Sequence, residues 1–272
     1  MSNTMFNASD YKGSGPENYE KYFVPTIAAP LADDLVDIAS LRHGERVLDV
    51  ACGTGVVARL AAAQVGNEGS VAGLDVNPGM LSVARSATPS NATIDWYETS
   101  VEAMPLPDGA FDVILCQMGL QFVPNKIQAL KEIRRLLDPG GRVVLNFPGP
   151  TPRLFAVLGD VLAQHIDPKC TGFVNVVFSM HDGEELRGLM MDAGFEDIEA
   201  HQTERTLRLP EPEDFLWQYI HSTPLAALVG KANEEQRAAL TDDVCARWQE
   251  FVIDGGMNLD IRMTTVRGYQ PQ

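Results

Sequence analysis

Apolar residues in the middle of the chain follow two alternating patterns: short continuous runs, and longer stretches in which they recur every three or four positions. The short runs are rich in Val, Ile and Leu, and turns containing Gly or Pro separate them from the longer stretches. Continuous runs predict buried parallel strands, and the longer periodicity predicts amphipathic helices. The predicted strands are Arg46–Val50, Ser70–Asp75, Ile94–Glu98, Phe111–Cys116 and Arg142–Phe147, and the predicted helices end near Val65, Ala87 and Leu137.

The flanking segments are mostly helical in pattern. Residues 1–16 are polar and predict a loose arm, and Pro25 and Pro30 interrupt the periodicity of 17–40, which predicts two short helices with a bend. The pattern loosens between Pro148 and Asp182, and residues 210–256 predict a helical insertion. The later predicted elements are helices at Glu184–Ala193, Glu213–His221 and Glu234–Ile253, and strands at Asp197–Arg205 and Asn258–Arg267.

This order of elements predicts the fold class. Strands alternating with helices predict an α/β fold on a doubly wound, mostly parallel, seven-stranded Rossmann-like sheet. An N-terminal helical cover and a helical lid would be added to it. We therefore divide the chain into an arm with cover helices (1–40), a core (41–209), a lid (210–256) and the last core strand (257–272).

Charge and cysteine usage narrow the range of partners. The 272 residues carry 37 Asp and Glu against 21 Lys and Arg, a formal net charge of -16. Nucleic-acid phosphates need clustered Lys and Arg, so nucleic-acid binding is disfavoured, and an anionic membrane would repel the chain. The four cysteines form no metal-ligand pattern, and the chain has neither an apolar signal core nor an apolar run of eighteen residues. These features predict a reduced, cytoplasmic protein without a structural metal or membrane insertion.

The strongest local motif is the glycine turn VLDVACGTG at residues 47–55, directly after the first strand. Glycines there let a ligand approach the backbone, and the next helix offers free N–H groups. The turn also matches a loose dinucleotide pattern, but Asp49 would repel a pyrophosphate and favour a cationic ligand. Asp75 ends the second strand, where a carboxylate accepts both hydroxyls of an adenosine ribose. Its alternative role is the N-cap of the helix that begins at Pro78.

Several motifs in the same order resemble the class I S-adenosylmethionine-dependent methyltransferases. They are VLDVACGTG, GLDVNPGML, SVEAMPLPDGAFDVILCQMGLQFV and ALKEIRRLLDPGGRVVL, and the most similar branch is that of the ubiquinone/menaquinone-biosynthesis C-methyltransferases and related small-molecule enzymes. The resemblance covers about residues 44–147 and, less closely, Glu184–Ile198. It implies S-adenosylmethionine as cofactor and a small-molecule methyl acceptor.

The resemblance also implies roles for matching positions. Gly53, Thr54 and Gly55 would pass under the methionine and ribose parts of the cofactor, and Asp75 would hold the ribose hydroxyls. Other positions would line the adenine or the methionine part. The complete predicted cofactor-binding set is Asp49, Ala51, Gly53, Thr54, Gly55, Asp75, Val76, Met80, Ser100, Val101, Gln117 and Tyr22.

The implied reaction is in-line displacement at a sulfonium methyl group, for which positioning and desolvation matter most. After the fourth strand the chain has Cys116-Gln117-Met118-Gly119 in place of the Asn/Asp-Pro-Pro-aromatic motif of enzymes that methylate amino groups. The sequence also lacks a set of acidic residues that would bind magnesium. Both features favour metal-independent transfer to a small, apolar or aromatic molecule. A carbon or phenol nucleophile still needs a base, and His181 and His221 are the candidates near the predicted sheet edge and lid. For each, an ordinary helix contact is the alternative.

Aromatic residues of the N-terminal cover are the remaining candidates, since Tyr11, Tyr19, Tyr22 and Phe23 precede the core. They either close over the cofactor or attach an amphipathic helix to the domain. Two other functions stay open: a protein that binds S-adenosylmethionine without methylating, and an NAD-dependent oxidoreductase. The oligomeric state is open too, a homodimer included.

Overall fold

A seven-stranded sheet is the centre of the computed structural model, which describes Phe6 and residues 10–272. The expected loose arm therefore lies partly outside the described residues. The strand order is β3-β2-β1-β4-β5-β7-β6, with β7 antiparallel to both neighbours and the other pairs parallel. The strands are Arg46–Val50 (β1), Ser70–Asp75 (β2), Ile94–Glu98 (β3), Phe111–Gln117 (β4), Leu137–Pro148 (β5), Glu196–Leu209 (β6) and Met257–Tyr269 (β7).

Helices cover both faces of the sheet and form an additional layer. The α-helices are Gly15–Asn18 (α1), Ala29–Ala39 (α2), Val56–Val65 (α3), Pro78–Ala87 (α4), Lys126–Leu136 (α5), Arg153–His165 (α6), Cys170–Val177 (α7), Gly183–Asp192 (α8), Pro212–His221 (α9), Leu225–Val229 (α10) and Glu234–Trp248 (α11). A π-helix spans Tyr19–Ala28, and 3₁₀ turns span Leu120–Phe122 and Gln249–Phe251. Among the described residues, none of these helices has the length and apolarity needed to cross a membrane.

Neighbouring positions of the central strands contribute to separate cores because side chains alternate across a strand. Val47 packs with α2 and α3, whereas Leu48 packs with α5 and α8 on the opposite face. Both residues are fully buried, as the continuous apolar run of β1 requires. The α/β fold class and the mostly parallel sheet are thus confirmed.

The predicted interruption of the helix at Pro25 is wrong. Helical backbone continues from Gly15 to Ala39, and Pro25 lies inside the π-helix. Proline cannot donate the usual helical hydrogen bond, but the wider turn of a π-helix changes the pairing and accommodates it. Pro30 lies in the first turn of α2, where the missing N–H group has no consequence.

The segment 148–182, which the sequence pattern left without elements, contains α6 and α7. These helices pack with α9, α10 and α11 around the buried Trp248, whose indole N–H donates to the Leu154 carbonyl at 3.0 Å. The helical layer therefore combines residues of 153–177 with residues of 210–256. The predicted helix Glu234–Ile253 is also shorter, since α11 ends at Trp248.

Candidate active site

The turn between β1 and α3 places three residues in the left-handed region of backbone conformation: Ala51, Gly53 and Gly55. A methyl group added at Gly53 would meet only Tyr19, at 3.9 Å, so this glycine borders open space. One added at Gly55 would overlap the ring of Trp96. Gly53 is therefore the position where a ligand can approach the backbone, and Gly55 serves the packing of Trp96 against the turn.

Asp75 stands at the carboxyl end of β2, beside the glycine turn. One carboxylate oxygen accepts the Gly53 N–H at 2.9 Å, and the other accepts the Asn77 N–H at 2.9 Å. Burial raises the pKa of this carboxyl group. Asn77, not Asp75, caps α4, because its side chain accepts the N–H groups of Gly79 and Met80. The alternative role of Asp75 as a helix cap is therefore wrong.

Asp49 is a second buried carboxyl group, one strand away in β1. One of its oxygens accepts the Ala58 N–H of α3 at 3.0 Å. Burial is the main cause that raises its pKa to about 8, and the negative charge of Asp75 acts in the same direction. A buried carboxyl group with this pKa gains from a cation placed beside it.

Both carboxyl groups line a cavity with about 670 Å³ of empty space, part of it open to solvent, which we call the Asp49 cavity. Its volume is within the ordinary range for small-molecule sites. Residues of the glycine turn, the end of β4 and the N-terminal cover surround it. They are Tyr11, Tyr19, Asp49, Ala51, Cys52, Gly53, Val56, Val57, Asp75, Met80, Gln117, Met118, Gly119 and Phe122.

A second cavity, which we call the Val76 cavity, adjoins the first and has about 480 Å³ of empty space. The two cavities share Ala51, Asp75, Gly119 and Phe122 as lining residues, so Asp75 stands where they meet. Val76 is 41% exposed, which is unusual for a large apolar side chain next to a buried strand. The remaining lining residues are Leu74, Thr99, Ser100, Val101, Glu102, Val123 and Pro124.

Two tyrosines of the N-terminal cover form one wall of the Asp49 cavity. Tyr19 packs edge-on against Tyr11, with ring centres 5.8 Å apart, and stacks on Phe23 at 4.7 Å. Burial raises the pKa of Tyr11 and of Tyr19, so both phenols stay protonated and neutral near pH 7. Two aromatic rings and no charged group therefore form this wall.

Comparison with known proteins identifies the family. A methyltransferase-domain family model matches residues 48–145. The ubiquinone/menaquinone biosynthesis C-methyltransferase UbiE of Pectobacterium atrosepticum is 34% identical over 178 residues, which cover 60% of this chain and 71% of that protein. The chain belongs to the class I S-adenosylmethionine-dependent methyltransferases. It is an S-adenosylmethionine-dependent enzyme, as its sequence motifs implied.

Solved structures share the fold at lower identity. Phosphoethanolamine N-methyltransferase 2 of Haemonchus contortus, in complex with S-adenosylhomocysteine, aligns with a TM-score of 0.61 at 18% identity and covers 97% of this chain and 58% of its own. The [4+2]-cyclase SpnF aligns with a TM-score of 0.55 at 20% identity and covers 90% of this chain and 81% of its own. At these identities the likeness supports the Rossmann-like methyltransferase fold alone.

The residues present suit S-adenosylmethionine in shape and charge. Asp75 lies between two adjoining cavities, as a ribose-binding carboxylate between a methionine site and an adenine site should. The exposed Val76 offers an apolar surface for an adenine ring, and Asp49 offers a carboxyl group whose ionised form an adjacent ammonium group would stabilise. Between Val76 and Asp49, Gly53 has no side chain, so a ligand can approach the backbone there.

Most predicted cofactor residues line these cavities. Asp49, Ala51, Gly53, Asp75, Met80 and Gln117 line the Asp49 cavity, while Val76, Ser100 and Val101 line the Val76 cavity. Ser100 is already bonded locally, because its hydroxyl accepts the Glu102 N–H at 3.2 Å. The Gln117 amide donates to the Ala28 carbonyl at 2.9 Å and so connects β4 to the cover.

Three members of the predicted cofactor set do not line either cavity. Thr54 is buried, and its carbonyl accepts Arg59 at 2.6 Å, whereas Gly55 packs on Trp96. Tyr22 lies beside helix α9 instead of the cofactor cavities. The physical reason is the π-helix: its wider turn moves a residue three positions on, here Tyr22, further round the helix from Tyr19, while Phe23, four positions on, still stacks on Tyr19.

Neither candidate base lines the cofactor cavities. The Nδ1 atom of His181 lies 2.9 Å from the Phe178 carbonyl, and its backbone carbonyl accepts the Thr264 hydroxyl. His221 is exposed and stacks on Trp217 with ring centres 5.8 Å apart. Both contacts agree with the alternative that each histidine makes an ordinary helix contact and is not a catalytic base.

The sequence interpretation overlooked several lining residues. The predicted cofactor set contains Tyr22 and neither Tyr11 nor Tyr19, and Cys52, Met118, Gly119 and Phe122 have no role in it. Gly119 carried a detectable signal, because a glycine just after the fourth strand allows close approach: an added methyl group would lie 2.6 Å from Ala51 Cβ. No group of three or more potential metal ligands occurs in the part of the chain that the structure describes.

Proposed function

We propose that this enzyme methylates a small, uncharged, apolar or aromatic molecule by in-line transfer, without a metal ion. The observation that carries the proposal is the composition of the Asp49 cavity wall away from the carboxyl groups. Tyr11, Tyr19, Met118 and Phe122 form that wall, and none of them is charged. An ionic acceptor would lose its hydration there without a partner.

The chain's residues have distinct parts in this proposal. When bound, S-adenosylmethionine supplies an activated sulfonium methyl group. Asp75 and Val76 would hold the adenosine part, and Asp49 would pair with the ammonium group. Tyr11 and Tyr19 exclude water from the methyl side, which favours displacement by a weakly hydrated nucleophile. His181 and His221 receive no proton-accepting role, because neither lines the cavity.

We further propose that the lid consists of α6 and α7 together with residues 210–256. Their shared core contains Phe155, Phe173, Tyr219 and Trp248. Phe173 stacks on the cavity-lining Phe122 at 6.3 Å, which connects this layer to the acceptor side of the site. The lid would close over the acceptor after binding and align it with the methyl group.

A labelled-methyl assay tests the proposal. The enzyme is incubated with methyl-labelled S-adenosylmethionine and a panel that pairs uncharged aromatic molecules with charged ones, phosphoethanolamine included. Quinone precursors belong in the panel because the curated relatives are named for ubiquinone and menaquinone biosynthesis. The label should move to an uncharged acceptor, and this transfer should continue in the presence of EDTA. Transfer only to charged amines, or loss of all transfer with EDTA, would contradict the proposal.

A further inference from the structure

Three consecutive residues of the N-terminal cover contact three different parts of the enzyme. The carbonyl of Asn18 accepts the hydroxyl of Ser222 at 3.0 Å, at the end of α9. Tyr19 lines the Asp49 cavity. Glu20 forms an ion pair with Arg59 of α3, in which Oε1 and Nη2 are 2.7 Å apart. Tyr19 therefore lies between one attachment to the helical layer and one to the core.

The Glu20–Arg59 ion pair is also bonded to the glycine turn. The other terminal nitrogen of Arg59, Nη1, donates to the Thr54 carbonyl at 2.6 Å. The side chains of Arg59 and Glu20 are only 16% and 25% exposed, and Oε2 of Glu20 is buried without a hydrogen-bond partner among the described residues. Breaking such a pair is costly, because the group that remains is left unpaired away from water. The pair therefore fixes the cover relative to the turn.

Tyr19 covers the part of the turn that lies between the two buried carboxyl groups. Its Cε1 atom would be 3.9 Å from a methyl group added at Gly53, and the Gly53 N–H donates to Asp75 at 2.9 Å. Asp49 lines the same cavity. The sulfur of S-adenosylmethionine joins the ribose to the methionine part. With the ribose at Asp75 and the ammonium group at Asp49, the sulfur would lie between them and beside Tyr19.

The Tyr19 ring would distinguish the cofactor from its product by charge. A sulfonium is a cation, whereas the thioether of S-adenosylhomocysteine is neutral, and an aromatic ring attracts a cation most strongly where water is excluded. Stacking on Phe23, with ring centres 4.7 Å apart, helps to fix the Tyr19 ring. Transfer of the methyl group leaves the electron pair of the broken bond on sulfur and removes the positive charge there. The attraction would therefore be lost in the product.

We propose that the Glu20–Arg59 ion pair positions Tyr19 against the sulfonium of the bound cofactor, so that the enzyme binds S-adenosylmethionine more tightly than the S-adenosylhomocysteine it produces. Glu20 and Arg59 do not line the cavity and act through Tyr19, so they are positioning residues. The inference goes beyond the proposed function, because it concerns the cofactor side of the site and does not depend on the identity of the acceptor.

Calorimetric binding of both ligands to the full chain, without acceptor, tests the inference. The measured quantity is the Kd of S-adenosylhomocysteine divided by that of S-adenosylmethionine. Tyr19→Leu should lower this ratio about fivefold or more, and Tyr19→Phe, which keeps the ring, should leave it within about twofold. Glu20→Gln should lower it about threefold or more because Tyr19 is no longer held in place. Arg59→Lys should lower it too, since lysine presents one nitrogen in place of the fork that bonds Glu20 and Thr54.

A double variant and a matched control separate positioning from other effects. Adding Glu20→Gln to Tyr19→Leu should not lower the ratio further, because Glu20 acts through Tyr19. Glu45→Gln is the control: Glu45 forms a similarly buried ion pair with Arg142 at 2.8 Å and lines neither cofactor cavity. This variant should leave the ratio unchanged.

An unchanged ratio in Tyr19→Leu or in Glu20→Gln would overturn the inference. So would a ratio as low in Tyr19→Phe as in Tyr19→Leu, or a further fall in the double variant, which would mean that Glu20 acts by its own charge. An equal fall in Glu45→Gln would overturn it as well, because general loosening would then explain the effect. Methyl transfer only to charged amines, with the expected ratios, would contradict the proposed function and leave this inference standing.

Discussion

Asp49→Asn should make the cofactor-free protein more stable at alkaline pH and weaken its cofactor binding. The wild-type carboxyl group is 1% exposed, accepts one backbone N–H, and has its pKa raised by burial to about 8. Asparagine keeps the size and the acceptor oxygen, but it cannot ionise. The variant therefore removes one buried negative charge and little else.

The direction and the size of the expected change in stability follow from the pKa of Asp49. The folded-state pKa of about 8 lies above the ordinary 3.8, so between these values the folded protein retains a proton that the unfolded chain has released. Stability contributed by this group is full below about pH 4, is lost as the pH rises from there to about 8, and does not change further above that pH. At about 1.4 kcal/mol for each unit of pKa, the full difference of about 4 units corresponds to about 6 kcal/mol.

Urea unfolding between pH 5 and pH 9 measures this effect. The unfolding free energy of Asp49→Asn minus that of the wild type should rise by about 4 kcal/mol between pH 5 and pH 9, because about 3 pH units of this range lie below the folded-state pKa. Asp112→Asn is the control, because Arg46 holds the pKa of Asp112 below its usual value and Asp112 stays ionised throughout this range. A difference for Asp49→Asn that does not change with pH would refute the reasoning.

Three further variants separate binding from packing. Asp75→Ala should cost about 1.5–3 kcal/mol of S-adenosylhomocysteine affinity by calorimetry, and an unchanged Kd would contradict the ribose assignment. Gly55→Ala should lower the unfolding free energy by about 1–3 kcal/mol more than the control Gly13→Ala does. Both glycines have a positive φ, but an added methyl group would overlap Trp96 at Gly55 and would meet open space at Gly13. Equal losses in the two variants would count against the packing role of Gly55. Trp217→Ala should leave S-adenosylhomocysteine affinity within about twofold and lower acceptor turnover about tenfold or more. Loss of cofactor affinity in a folded Trp217 variant would place the lid over the cofactor instead.

The strands that carry the cofactor site could be predicted from local pattern alone. β1, β2 and β3 begin and end at the predicted residues, because each is a short segment with β-branched or aromatic residues that is bounded by turn residues. Asp49 and Asp75 were predictable for the same reason: each is a carboxylate in or at the end of a buried strand, where the need for a partner is evident from sequence.

The cover and lid were less predictable because long-range packing determines them. Nothing local to Tyr19–Ala28 indicates a π-helix, and this geometry decides that Tyr19 and not Tyr22 faces the cavity. α6 and α7 were missed because their apolar faces pack on α9 and α11, elements that follow much later in the chain. The position of Phe6 against Phe173 has the same origin and carries no local sequence signal.

Calorimetric titration of the purified chain with S-adenosylhomocysteine, and separately with NAD, tests the central claim most directly. The two adjoining cavities that meet at Asp75 should bind one S-adenosylhomocysteine, and the affinity should fall in Asp75→Ala. NAD should give no binding heat, since no Lys or Arg among the described residues lines the Asp49 cavity to hold its pyrophosphate beside the buried carboxyl groups. Tight binding of NAD, with none of S-adenosylhomocysteine, would contradict the account.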